Sequence, residues 1–449
     1  MAIVALLQCL QPAVSTTTLR QFSCIVVALL VMTGRVTMLG ISRWAGQGGS
    51  YRTVQRFFSQ ALPWAMLFWM FFRQHVYRSD EVYLLVGDEV VATKAGKHTH
   101  GLDRFFSSLY GKPVPGLAFF TLSLVSIQQR RSFPIHIEQV VRSDAEKAAS
   151  KAQADAKKQG PSTAQRRPGR PKGSKNTPKA EVPLTPELLR ITGMLGALWQ
   201  VIAGVISLTY LVLDGHFGNH HALQMALQRN LHLISKLRCD AALYFPYVGP
   251  YAGRGPHRKY GSKVDYDHIP GQYLKETTVE GHIQTRLYQA QLLHKGFTQP
   301  LNVVILAKTN LRTQARAHVI LFSSDLALAY APLVDYYSLR FQIEFNFRDA
   351  KQYWGLEDFM QVTPTGVTNA ANLSLFMVNV AYRLQADGRQ RAPAYSVLDL
   401  KADCRGHKYV EEMIKMLPEK PEPVLLEQIR NKVACLGRIH PAQPSSRFS

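Results

Sequence analysis

Acidic side chains are the scarce charge in this sequence of 449 residues. Only 31 Asp and Glu stand against 53 Lys and Arg, a formal net charge of +22. Such a cationic excess implies a polyanionic partner, nucleic acid before a membrane surface. Cysteine is also sparse. Cys9, Cys24, Cys239, Cys404 and Cys435 are odd in number, scattered, and lack CxxC or Cys/His ligand spacing. That pattern excludes a disulfide scaffold and a zinc finger, and reads as reduced thiols in a cytosolic protein. Long apolar runs are missing as well: Arg20 and Arg35 bracket Cys24 to Met32 too closely for a span of about 20 residues. With no Lys or Arg before Arg20 there is no signal-peptide n-region. The expectation is a buried helix and no membrane. The 46% hydrophobic content is that of a globular chain, long enough for two or three domains.

Residues 1–78 read as an all-helical domain. A helix near 18–32 precedes TMLGISRWAG, a break at Gln47-Gly48-Gly49, and SYRTVQRFFSQ with Ser50 as N-cap. Two short helices across a Gly-rich turn fit a helix-turn-helix. It would present Arg52, Gln55 and Arg56 to DNA and pack Val54, Phe57 and Phe58 inward. A generic helical bundle fits the pattern equally. Trp64 to Phe72 is apolar all round and is expected to be buried.

From residue 79 the texture changes to strands: EVYLLVGDEVVATK, PGLAFFTLSLVSI and SFPIHIEQVV. Asp88 follows Leu84-Leu85-Val86-Gly87. A carboxylate in an apolar strand is costly unless it binds something, but Gly87-Asp88 reads equally as a strand-end turn, with Glu89 and Asp103 as nearby rivals. Residues 142–180 carry eleven Lys/Arg against three Asp/Glu and no apolar period, so 142–184 reads as a flexible basic insertion. Within it, RRPGRPKGSKN resembles an AT-hook, Arg167, Arg170 and Lys172 around a Pro/Gly backbone suited to the narrow A·T minor groove. A basic solvated linker is the plainer alternative.

Thr185-Pro186-Glu187 starts a helix expected to reach about Gly204, and SLTYLVLDGHFGN follows as a strand ending in Asp214-Gly215. A hydrophobic strand that ends in Asp before a Gly turn and a helix puts the carboxylate at the C-terminal sheet edge, where sites in open α/β sheets gather. His216, Asn219, His220 and His221 read as helix-start and surface residues. Between residues 247 and 325 a Tyr/Gly/Pro/Lys-rich loop gives way to alternating strands. Its Tyr247, Tyr251, Arg254, His257, Arg258 and Lys259 interleave aromatic with basic residues, a DNA-contacting pattern.

The organising stretch is Tyr337 to Lys351, YSLRFQIEFNFRDAK, read as one long helix. Tyr337, Arg340, Glu344 and Lys351 fall within an arc of roughly 60° on one face, while Leu339, Phe341, Ile343, Phe345 and Phe347 supply apolar surface to pin it. One carboxylate beside two cations and a phenol suits a metal ion and a phosphate. After this helix, 389–449 holds short helical pieces at Tyr409–Met416 and Pro423–Cys435 and a Pro/Ser tail.

The spacing Tyr-x2-Arg-x3-Glu-x6-Lys resembles the YREK signature of bacterial insertion-sequence transposases, cut-and-paste DDE enzymes with a ribonuclease H-like core. The resemblance implies an α/β mixed sheet with a β-rich insertion behind the helical N-terminal domain, the core being 79–141, 185–246 and 326–388. It implies that Asp88, Asp214 and Glu344 hold two Mg2+ ions, or Mn2+ as substitute, roughly 4 Å apart. Arg340 and Lys351 would grip phosphates of the element's end and Tyr337 would support them. The implied partners are double-stranded DNA, as terminal inverted repeats and target, and a second copy in a homodimeric synaptic complex. The implied location is the bacterial cytoplasm, at the nucleoid. Two other readings stand beside it: an AT-hook and helix-turn-helix regulatory protein without catalysis, and a ribonuclease H-like nuclease that cuts without joining.

Overall fold

The computed structural model describes residues 2–440 other than 108–109, 149–151, 153–154, 156–182, 203, 252, 254 and 420. The AT-hook-like residues Arg167, Arg170 and Lys172 and the tail after His440 lie outside the described residues.

Local capping explains the N-terminal helices. Helix α1 covers Ala2–Leu7. Ser15, Thr37 and Ser50 each turn a side-chain oxygen onto the third amide that follows, starting α2 (Thr16–Val31), α3 (Met38–Trp44) and α4 (Tyr51–Ser59). Helix α5 is Trp64–His75. In α4, Val54, Phe57 and Phe58 are buried while Arg52, Gln55 and Arg56 face solvent. The N-terminal helices share one continuous core with the rest of the chain. Phe22, Trp64, Phe68 and Phe71 ring Phe376 at centroid distances of 5.1 to 6.2 Å.

The sheet is built around β1 (Tyr83–Thr93). On one side β1 pairs antiparallel with β3 (Lys112–Ser126), which also pairs with the short β2 (Asp103–Ser107) and with β4 (Arg131–Val140). On the other side it pairs parallel with β5 (Tyr210–Val212), and β5 parallel with β6 (His232–Leu237). Three antiparallel strands followed by two parallel ones, in spatial order β4-β3-β1-β5-β6, make a ribonuclease H-like core. The crossover from β4 to β5 carries helix α6, Pro186–Ile202, shorter than the expected run to Gly204. Helix α7, His220–Leu227, follows β5 with Asn219 as its N-cap, and His220 is buried rather than on the surface.

The β-rich insertion extends this same sheet. It comprises β7 (Leu243–Pro246), β8 (Tyr260–Lys263), β9 (Leu274–Glu280), β10 (Ile283–His294), β11 (Leu301–Asn310) and β12 (Arg316–Ser323). Because β12 pairs with β6, the sheet runs to twelve strands among the described residues.

Two helices take the place of the single one expected over 337–351: α8 (Tyr330–Leu339) and α9 (Gln342–Trp354). At the junction the backbone tightens into three-residue bonds, Phe341 N to Ser338 O, Ile343 N to Arg340 O and Glu344 N to Phe341 O. Leu339, Ile343 and Phe347 are buried as expected, but Phe341 and Phe345 are 51% and 38% exposed and pair edge to face. Gly355, at φ +81°, ends α9 and lies against Val36, where a Cβ would meet the valine at 2.3 Å. Helix α10 is Pro364–Arg391, α11 Val397–Met416 and α12 Pro423–Ala434. Helix α11 starts well before the expected Tyr409, at a capping box between Ser396 and Asp399. Among the described residues no helix is long and apolar enough to cross a membrane.

Candidate active site

Strand register brings the first two acids together. Leu85 pairs with Leu211 and Val86 with Val212 across the parallel β1–β5 ladder. Asp88 and Asp214, each two residues further on, therefore leave the pair at the same level. Gly87 makes this approach possible: a Cβ there would meet Leu213 Cδ2 and Phe120 Cζ at 2.8 Å. Asp214 lies just past the strand end and caps a 3-10 turn over Gly215–Phe217, its Oδ1 accepting the His216 amide at 3.1 Å. Ser235 Oγ donates to the Asp214 carbonyl at 2.6 Å and fixes the turn on β6.

The α8–α9 junction lies over this pair. Arg340 donates from Nη1 to Asp88 Oδ2 at 2.5 Å, and its Nη2 stands 3.6 Å from Glu344 Oε1. Burial pushes the Asp88 carboxyl up to about 6; Arg340 and the Glu89 amide pull it down, and Asp214 and Glu344 push it further up. Asp88 therefore senses both other acids. Arg340 is held above its ordinary value: burial works against its charge, and Asp88, with Tyr337, Asp214 and Glu344, outweighs it. The Tyr337 hydroxyl is raised by burial, with Arg340 opposing and Asp214 and Asp88 adding to the rise. Tyr337 also borders an apolar pocket of about 240 Å³ lined by Leu306, Val319, Leu321 and Val334.

Lys351 reaches β1 three residues beyond Asp88, donating to Val91 O at 2.7 Å and pairing with Glu357 at 3.0 Å. The structure thus brings Asp88, Asp214, Tyr337, Arg340 and Glu344 into one electrostatic neighbourhood and sets Lys351 at its edge. The rivals point elsewhere. Glu89 is raised by burial and then by Glu187, with Arg142 and Arg190 opposing, so it faces the start of α6. Asp103 pairs with Arg142 at 3.5 Å. Sequence reasoning gave no role to Glu187, which holds His216 Nε2 at 3.1 Å and ties α6 to the Asp214 turn. Its place at the start of α6 carried no such signal.

Among the described residues no three acid, His or Cys side chains stand close enough to close on one ion. The Arg340 guanidinium occupies the space between Asp88 and Glu344. The donor set nevertheless suits a hard divalent cation: three carboxylates, one of them half-buried, against a single guanidinium.

Elsewhere in the insertion, Tyr251 stacks on His257 at 4.0 Å and Arg258 lies 4.9 Å from the Tyr247 ring centre, while Arg254 lies outside the described residues.

A ribonuclease H-like sheet with acids converging at its parallel edge defines a class, the nucleases and strand-transfer enzymes that work on nucleic acid backbones. The chain belongs to the DDE superfamily endonucleases, whose family model matches residues 6–300. It is accordingly a protein of a family that acts on DNA, with divalent metals as the usual cofactor. The match includes Asp88 and Asp214 and stops short of the α8–α9 segment. No curated protein shows a significant match to the chain.

Proposed function

We propose that this protein is a cut-and-paste transposase of the YREK group, which cleaves DNA at an element's ends and joins them to target DNA. The carrying observation is the parallel register that sets Asp88 beside Asp214 under a helix junction bearing Arg340 and Glu344. Those three acids come from residues 88, 214 and 344, and they would hold the metal. When bound there, Mg2+, or Mn2+ in its place, would supply activation of water or a DNA 3′-hydroxyl and stabilisation of the leaving oxygen.

The remaining steps belong to the chain's own groups. Arg340 presents a planar fork that suits phosphate oxygens as well as it suits carboxylates. Tyr337 buttresses that guanidinium, with ring and cation 5.9 Å apart. Lys351 offers a second cation further along β1, which a phosphate can draw from Val91 and Glu357. Arg52, Gln55 and Arg56 on α4 take a major groove, Arg167, Arg170 and Lys172 an A·T minor groove, and the aromatic-basic loop around Tyr247 a cleaved end. Two copies act on paired ends in the bacterial cytoplasm, at the nucleoid.

Strand joining separates this reading from a nuclease that only hydrolyses. Pre-cut element ends incubated with the protein, Mg2+ and a supercoiled plasmid should become covalently inserted. Cleavage without insertion would leave a plain endonuclease, and neither reaction would leave a DNA-binding protein.

A further inference from the structure

Arg340 occupies an unusual position for a residue whose partner would be DNA. Its guanidinium spans two of the three site acids, at 2.5 Å from Asp88 and 3.6 Å from Glu344. Its side chain is only 16% exposed, so this contact is largely shielded from solvent, unlike a mobile surface pair. Yet the fit is incomplete: Arg340 Nε is buried without a hydrogen-bond partner. A guanidinium built for this spot as permanent structure would have that N–H satisfied. One positive charge also leaves three neighbouring carboxylates under-compensated.

We propose that Arg340 is a placeholder cation: it competes with a divalent metal for the oxygens of Asp88 and Glu344, and thereby gates metal loading of the site. The inference rests on the assignment of Asp88 and Glu344 as metal-holding groups. A metal ion on Asp88 Oδ2 would face the guanidinium that already donates to that oxygen at 2.5 Å, so repulsion between the two cations favours metal entry with the guanidinium swung away. The orphaned Nε–H lowers the cost of that departure, because leaving forfeits no bond there. A DNA phosphate arriving over the α8–α9 junction offers Arg340 a bidentate acceptor in exchange for the carboxylates. Metal affinity and DNA phosphate binding are then coupled in the same direction, as linkage requires.

The test is Mn2+ binding to the full-length protein, by calorimetry and by the electron-paramagnetic signal of free Mn2+, without DNA. Arg340→Gln should bind Mn2+ at least about tenfold more tightly than wild type, because it removes a cation competing for those carboxylates, and such a neighbour shifts a carboxylate's cation equilibrium by about one to three powers of ten. Arg340→Lys keeps the charge but cannot bridge both acids, and should fall between the two. Asp88→Asn should weaken binding and cancel the gain when combined with Arg340→Gln. Added Mn2+ should raise the melting temperature of Arg340→Gln more than that of wild type. If both Arg340 variants bind Mn2+ no more tightly than wild type while Asp88→Asn weakens binding, the metal site is real and the placeholder role is wrong. If Asp88→Asn leaves Mn2+ binding unchanged in both backgrounds, the metal assignment beneath the proposal fails with it.

Discussion

The indole N–H of Trp64 donates to Asn369 Oδ1 at 2.7 Å, joining the N-terminal helices to α10 inside the core. The same amide donates through Nδ2 to Phe58 O at 3.0 Å and Gln60 O at 2.8 Å, satisfying carbonyls at the end of α4. The helix pair α3–α4 is thereby tied to the core. Asn369→Ala would leave an indole N–H and two carbonyls without this partner. The expected cost is about 3 kcal/mol, read as a lower urea midpoint with an unchanged slope. A shift below about 0.5 kcal/mol would show that water replaces the amide.

Gly87 governs the spacing of the two strand acids. Gly87→Ala should cost about 1–3 kcal/mol through overpacking against Leu213 and Phe120. It should also lower cleavage far more than DNA affinity, since it separates Asp88 from Asp214. Gel-shift and nicking assays on the same preparation compare the two losses, and equal losses would contradict this role.

On α4, Arg52 and Arg56 are exposed. If they contact phosphates, each change to Ala should reduce the slope of log affinity against log salt by about 0.9 on duplex DNA. A slope identical to wild type in the double variant would remove α4 from the interface.

Asp399 fastens the end of the described chain. It accepts from Ser396 N at 2.8 Å, Ser396 Oγ at 2.7 Å, Ile439 N at 2.6 Å and His440 N at 3.0 Å. Burial would raise its carboxyl, but these bonds outweigh burial and hold it below the usual carboxylate range. The unfolded chain therefore binds the proton first, so the stabilisation is complete above about pH 4 and is lost as pH falls through the depressed value. Amide exchange at Ile439 and His440 should be slow near neutrality and quicken in acid beyond the intrinsic pH trend. Asp399→Asn should be fast already at pH 7.

Much of this was legible locally. Ser50, the Asp214-Gly215 turn and the strand around Asp88 announce themselves through capping, turn chemistry and apolar runs, all short-range effects. The start of α11 escaped because its capping box uses Asp399, where the commoner partner is Glu or Gln. The continuation of the core sheet through β6 and β12 depends on pairing between residues about 85 positions apart, such as Leu237 with Ile320, and periodicity says nothing of it. The spacing of Tyr337, Arg340 and Glu344 put them on one face. That Arg340 would reach Asp88, 252 residues away, through a tightened turn that also exposes Phe341 and Phe345, is a tertiary outcome.

Acids at 88, 214 and 344 are expected to share one metal-dependent site. Loading the full-length protein with Fe2+ in place of Mg2+, then adding ascorbate and peroxide, generates hydroxyl radicals that cut the backbone near bound iron. Fragments should end close to residues 88, 214 and 344 together, all suppressed by excess Mg2+ and by Glu344→Gln. Cuts at only one of these positions, or a pattern indifferent to Mg2+, would contradict a shared site.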